Sequence, residues 1–135
     1  MNSRRNFLQI SLAAAVVSMV GPSVVKASGP QFPGVIYTSE NEGKWAGKAG
    51  SHAPEIEISG RTVRIRTIHP MSMEHYIVRH TLVLENGQVV GEKTFDPAKD
   101  KQVESTHELP AGYTGRIIAT SFCNQHDFWL TDKQV

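Results

Sequence analysis

Six histidines stand beside a single cysteine in this 135-residue chain. Imidazole nitrogen and thiolate sulfur are donors that transition metals favour, so metal chemistry is the first possibility to weigh. Three local clusters carry them: His52 in Ser51-His52-Ala53-Pro54, His69 and His75 in His69-Pro70-Met71-Ser72-Met73-Glu74-His75, and Cys123 with His126 in Cys123-Asn124-Gln125-His126. Taken singly, each has a plain explanation. A lone cysteine is more often a small buried apolar residue, one C-x-x-H is weak evidence, and His80 and His107 read as ordinary surface or partly buried histidines. Taken together, four imidazoles and one thiolate exceed the four ligands of a structural zinc site. They suit a five-coordinate transition metal with one position left free.

Having only one cysteine excludes an intrachain disulfide, a four-cysteine zinc or rubredoxin-type centre, a cysteine-held iron–sulfur cluster and a C-x-x-C redox pair. The formal charge of +1, from 14 Lys+Arg against 13 Asp+Glu, gives no reason to expect nucleic acid or an anionic membrane as partner.

The elements that must position these ligands are strands. Glu55-Ile56-Glu57-Ile58 and Thr62-Val63-Arg64-Ile65-Arg66 alternate polar with apolar residues around a Ser59-Gly60 turn, which makes a hairpin with Val63 and Ile65 facing the core. His75–Leu84 is β-branched and aromatic enough for a strand, and Asn86-Gly87 turns the chain back into Val89–Phe95. Gln102–Leu109 and Gly115–Phe122 follow, split by Pro110-Ala111-Gly112, and Phe128–Leu130 adds a short last strand. Residues 28–51, with five glycines, two prolines and no sustained period, read as an irregular arm or loop. Short strands at about ten-residue spacing predict an all-β fold: an immunoglobulin-like antiparallel β-sandwich of about seven strands with an irregular N-terminal loop. Pro54 and Pro70 hold the residues before them extended, so the ligand clusters belong where strands meet loops at the sandwich ends.

Residues 1–27 read as an address. Arg4-Arg5-Asn6-Phe7-Leu8 precedes an apolar run from Ile10 to Val20, shorter than the ~20 residues that span a bilayer. The paired arginines look like a twin-arginine signal cleaved after Ala27, with an ordinary secretory signal or an uncleaved anchor as alternatives. Cleavage removes Arg4, Arg5 and Lys26 and leaves 11 basic against 13 acidic residues, so the domain of residues 28–135 carries about −2. The expected location is the periplasm, with no membrane association after cleavage. An unpaired thiol there needs a reason to stay unpaired, and metal ligation is one.

The ligand clusters resemble a family. His69-Pro70-Met71 with His75-Tyr76-Ile77, and Cys123-Asn124-Gln125-His126 followed by Trp129, are similar to the iron centre of the superoxide reductases, also called neelaredoxins or the catalytic domain of desulfoferrodoxin. His52-Ala53-Pro54 resembles the family's His-Val-Pro, and the likeness covers about residues 40–131. The resemblance implies one iron per chain, with His52, His69, His75 and His126 in a plane, Cys123 as axial thiolate, and an exposed sixth position where superoxide binds. A thiolate opposite an open site pushes electron density onto the iron, as in thiolate-ligated haem. One electron and two protons then turn superoxide into hydrogen peroxide. Such an enzyme makes no dioxygen and needs an external donor, here an unidentified periplasmic one. Related one-iron proteins are often homo-oligomers, so self-association is expected by analogy.

The sequence departs from the family at the residues before His52, where the usual Glu-Lys pair is replaced by Gly50-Ser51. Lys48 is the first candidate to supply the missing positive charge, Lys44 the second, and Glu42 a candidate sixth ligand, with solvated loop charges as the plain alternative for each. Two competing functions stand beside superoxide reduction. One is an iron-binding or electron-transfer module that lost the chemistry with the Glu-Lys pair, and the other is a metal-free secreted β-sandwich binding domain. Iron, rather than zinc or copper, rests on the resemblance, because the affinity order of divalent metals favours copper at such ligands.

Overall fold

The structure is a computed structural model that describes residues 32–135. The expected leader, residues 1–27, lies outside the described residues, as does the beginning of the arm. Eight strands follow in order: β1 (Ile36–Tyr37), β2 (Glu55–Ser59), β3 (Thr62–Thr67), β4 (Ile77–Leu84), β5 (Val89–Thr94), β6 (Val103–Glu108), β7 (Arg116–Cys123) and β8 (Asp127–Gln134). A short helix, α1 (Ala49–His52), precedes β2. Among the described residues no helix is long and apolar enough to cross a membrane.

Two sheets form the sandwich, one in the order β1-β8-β7-β4-β5 and the other β2-β3-β6. All pairings are antiparallel except β1 on β8. Strands β2 to β8 are the seven expected ones, and β1 is the addition. The arm read as irregular contains β1, the turn Gly43–Trp45 and α1. The last strand runs eight residues rather than three, because Phe128, Trp129 and Leu130 continue an unbroken ladder against β7 to Gln134.

The period-two pattern sets which side chains meet. Val63 and Ile65 on β3 are fully buried and pack with Ile56, Leu82, Leu84, Leu109, Ile117 and Ala119. Burying each of the larger side chains contributes roughly 1.5–3 kcal/mol. A second cluster, Ile77, Phe95, Val103 and Cys123, sits nearer the ligand end. On the outer face of the three-stranded sheet, Arg64 makes a bidentate pair with Glu104 and Arg66 pairs with Glu55.

His80 differs from the sequence expectation. It is fully buried, not a surface or partly exposed histidine. The alternation of β4 places it inward beside Leu82 and Leu84, and polar partners on neighbouring strands satisfy its ring. A β-bulge shifts the β4–β7 register between Ile77 and Arg79, so Ile77 and His80, three residues apart, both point inward.

Candidate metal centre

Strand pairing gathers the ligand clusters at one pole. Glu55 opposite Arg66 brings the start of β2 beside the end of β3, and Ile77 opposite Cys123 brings the start of β4 beside the end of β7. His52 closes α1 three residues before β2, and Ala53 is extended before Pro54 as expected. His69 and His75 sit on the crossover from β3 to β4. Cys123 ends β7, and the tight turn to β8 returns His126 three residues later, with Asp127 in the left-handed region at φ 65°.

Four imidazole nitrogens face one another at this pole. His52 Nε2 lies 3.0 Å from His126 Nδ1, His126 Nδ1 3.0 Å from His75 Nε2, and His75 Nε2 3.1 Å from His69 Nε2. Cys123 Sγ lies 3.6 Å from His126 Nδ1 and 3.9 Å from His69 Nε2. The donor atoms of His52, His75, Cys123 and His126 all fall within 4.8 Å of one another, a cluster that could hold a metal ion. His69 joins it through His75 and the sulfur. Successive nitrogens stand 3.0–3.1 Å apart along the run His52, His126, His75, His69, close enough for neighbouring rings to share one ion at metal–imidazole bond lengths of about 2.1 Å. The nitrogens therefore fit a single transition-metal ion.

Carbonyl groups set the protonation of two rings. His52 Nδ1 lies 3.1 Å from the Lys48 carbonyl, and His69 Nδ1 is bonded to the Pro70 carbonyl. A carbonyl only accepts, so both Nδ1 atoms carry the proton and both inward Nε2 atoms present lone pairs. Burial, reinforced by neighbouring histidines, lowers the pKa of each to about 4, so both rings are neutral donors at pH 7. His126 is lowered too, first by burial and then by His75 and Lys48.

Cys123 is fully buried, and burial raises its thiol pKa against the opposing pull of the Gln125 and His126 backbone N–H groups. A cation beside the sulfur reverses that balance and displaces the proton.

The loop before α1 covers the His126 side. Gly43, at φ +49°, lies against the Tyr37 ring so closely that a Cβ would sit 2.8 Å from Tyr37 Cε1. The turn it allows carries Lys44 and Trp45. Trp45 stands edge-on to His126, and its Nε1–H donates to Asp127 at 3.0 Å. Trp129, fully buried, donates from Nε1 to the His126 carbonyl at 2.9 Å and lies against His52. Sequence reasoning missed Trp45 and Asp127. The one available signal was a tryptophan in an otherwise small and polar loop.

The three loop residues suggested as catalytic are placed differently from one another. Lys44 pairs with Asp127 at 3.3 Å. Lys48 anchors His52 through its carbonyl, and its charge adds to the lowering of the His126 pKa and weakly opposes the rise that burial causes at Cys123. The Glu42 carboxylate accepts the Gly47 N–H within its own loop, and the ligand cluster does not include it.

Comparison with known proteins agrees with this geometry. The desulfoferrodoxin family model matches residues 42–132. A superoxide reductase (neelaredoxin) from Ignicoccus hospitalis superposes with TM-score 0.64 at 29% identity, covering 74% of this chain and 93% of that one. The superoxide reductase from Treponema pallidum gives 0.52 at 30% identity, covering 64% and 69%. The enzyme from Giardia intestinalis, 23% identical with TM-score 0.57 over 63% of this chain and 98% of that one, shares the fold. A search of curated proteins finds no match. With the family model spanning more than half of its length, this chain belongs to the desulfoferrodoxin family.

Proposed function

We propose that the protein is a superoxide reductase: His52, His69, His75, His126 and Cys123 would hold one iron, and superoxide would be reduced to hydrogen peroxide at that site. The observation that carries this is the convergence of four imidazole nitrogens and one buried sulfur at a single pole, in a chain of the desulfoferrodoxin family. Iron held there would supply the single electron.

The protein residues supply the rest. Neutral His52 and His69 donate lone pairs without first losing a proton. Cys123 is buried, while His75 and His126 are partly exposed, so an anion would reach the site from the side of these two rings. Lys48 is the cation whose charge already reaches His126 and Cys123, and it supports a role in attracting superoxide to a domain of about −2. The electron comes from an external donor and the two protons from solvent. Export by a twin-arginine signal places this reaction in the periplasm, a proposal that rests on residues 1–27 alone.

Gly50-Ser51 in place of Glu-Lys, together with the engagement of Glu42 by Gly47, favours one second reading, an iron protein that transfers electrons without reducing superoxide. Stopped-flow mixing of the ferrous protein with superoxide decides between them. Rapid oxidation to the ferric state with hydrogen peroxide formed and no dioxygen released supports the enzyme. Oxidation no faster than by dioxygen alone rejects it. The ferric form should show a sulfur-to-iron charge-transfer band that Cys123→Ser removes.

A further inference from the structure

A row of five side chains crosses the interior beneath the metal pole and takes no part in the reaction above. Thr67, His80, Ser105 and Ser121 are 2%, 0%, 4% and 0% exposed, and His107 is partly buried. They come from four strands in both sheets, and along β3, β4 and β7 they stand where the main apolar cluster stops. Hydroxyl and imidazole groups in such a place cost desolvation energy unless every one is bonded.

Counting protons shows that they are bonded in one direction. The Thr67 hydroxyl donates to Ser121 Oγ at 3.0 Å, so its contact of 2.8 Å with His80 Nε2 must be received from the ring. Neutral His80 then accepts at Nδ1 from the Ser105 hydroxyl at 3.0 Å. Ser105, its proton spent, accepts from His107 Nε2 at 3.0 Å. Gly91 leaves the room for that last ring, since a Cβ there would lie 2.2 Å from His107 Nδ1. The hydroxyl protons of Thr67 and Ser105 are thus both committed, to Ser121 Oγ and to His80 Nδ1.

Thr67 is where the row meets the metal pole. It is the last residue of β3, and its carbonyl accepts the His69 N–H at 3.0 Å. Beyond it the chain leaves the sheet for the crossover that carries His69 and His75. The geometry points to Thr67, locked from below through His80, Ser105 and Ser121, as the positioning residue that aims His69 at the metal. Its side chain is held by the core, and its backbone holds the ligand. This role rests on the proposed metal centre, in which His69 is a ligand.

The test uses the full chain purified with iron and compares Thr67→Val, which keeps the shape and loses the hydroxyl, with Thr67→Ser, which keeps the hydroxyl. Thr67→Val should release iron to a chelator about 10-fold faster and shift the ferric charge-transfer band, an effect of the size expected for a group supporting a metal ligand. Thr67→Ser should match the wild type in both. A folded Thr67→Val with wild-type release and band overturns the assignment, and so does Thr67→Ser behaving like Thr67→Val. Ser105→Ala breaks the row at a distance from the crossover and should move both readouts the same way by less. If Thr67→Val does not fold, Ser105→Ala decides, and wild-type values there overturn the assignment. A wild type without the iron–thiolate band overturns both this role and the metal centre. A wild type with the band that fails to reduce superoxide overturns the reaction alone, and the Thr67 comparison still decides the positioning role.

Discussion

Trp45 meets His126 at 87°, ring centroids 4.5 Å apart, and reaches past it to Asp127, the next residue in the chain. One indole thus walls an imidazole of the candidate metal cluster and ties down the backbone that carries it. Trp45→Ala should release iron about 10-fold faster than the wild type. Trp45→Phe, which keeps an aromatic wall and loses the N–H, should fall between them. Chelator competition measures both, and equal release from all three proteins would remove this role from Trp45.

The two loop lysines should not be equivalent. Lys44 is engaged by Asp127, whereas Lys48 acts on His126 and Cys123. Lys48→Ala should lower the second-order rate with superoxide by about 10-fold at low ionic strength and flatten its salt dependence. Lys44→Ala should have the smaller effect. Salt-independent, unchanged rates in both variants would end the steering role.

Metal affinity should rise with pH between pH 5 and 8, because binding releases at least one proton per ion. The proton comes from Cys123, whose thiol pKa burial raises, so the free protein holds it throughout that range. His52 and His69 add nothing until about pH 4, where they begin to protonate. Iron(II) binding measured across pH checks the slope, and Cys123→Ser should flatten it as well as weaken binding.

Acid should destabilise the fold through His80. Burial, its largest cause, lowers the folded pKa from 6.5 to about 3. Between those values the unfolded chain binds a proton that the folded chain does not, so stability is lost as pH falls from 6.5. The loss approaches about 1.4 kcal/mol per pH unit from this one group. Denaturant melts of wild type and His80→Gln between pH 7 and 4 should differ in slope by close to one proton. Parallel pH profiles would show that His80 is not buried neutral.

Much of the fold was legible because half-buried strands write themselves as alternation. Val63 and Ile65 against Arg64 and Arg66 declared both the strand and its inner face, and Asn86-Gly87 declared a turn. His80 was not legible. Its neighbours Arg79 and Thr81 look like a polar stretch, and only Thr67 and Ser105, distant in sequence, make its burial affordable. Trp45 was hidden for a similar reason, since its partner Asp127 lies 82 residues away.

What the sequence offered by itself was a candidate donor set: four histidines and one cysteine in three clusters, with no second cysteine for a disulfide or a cysteine-held cluster. Residue type and local spacing are written in the chain directly. The tertiary structure alone decided that these nitrogens close to 3.0–3.1 Å, which rings are held neutral, and which loop charge is spent on an ion pair. Those properties depend on strand register across two sheets and on burial, and both are set by contacts between residues that the sequence keeps far apart.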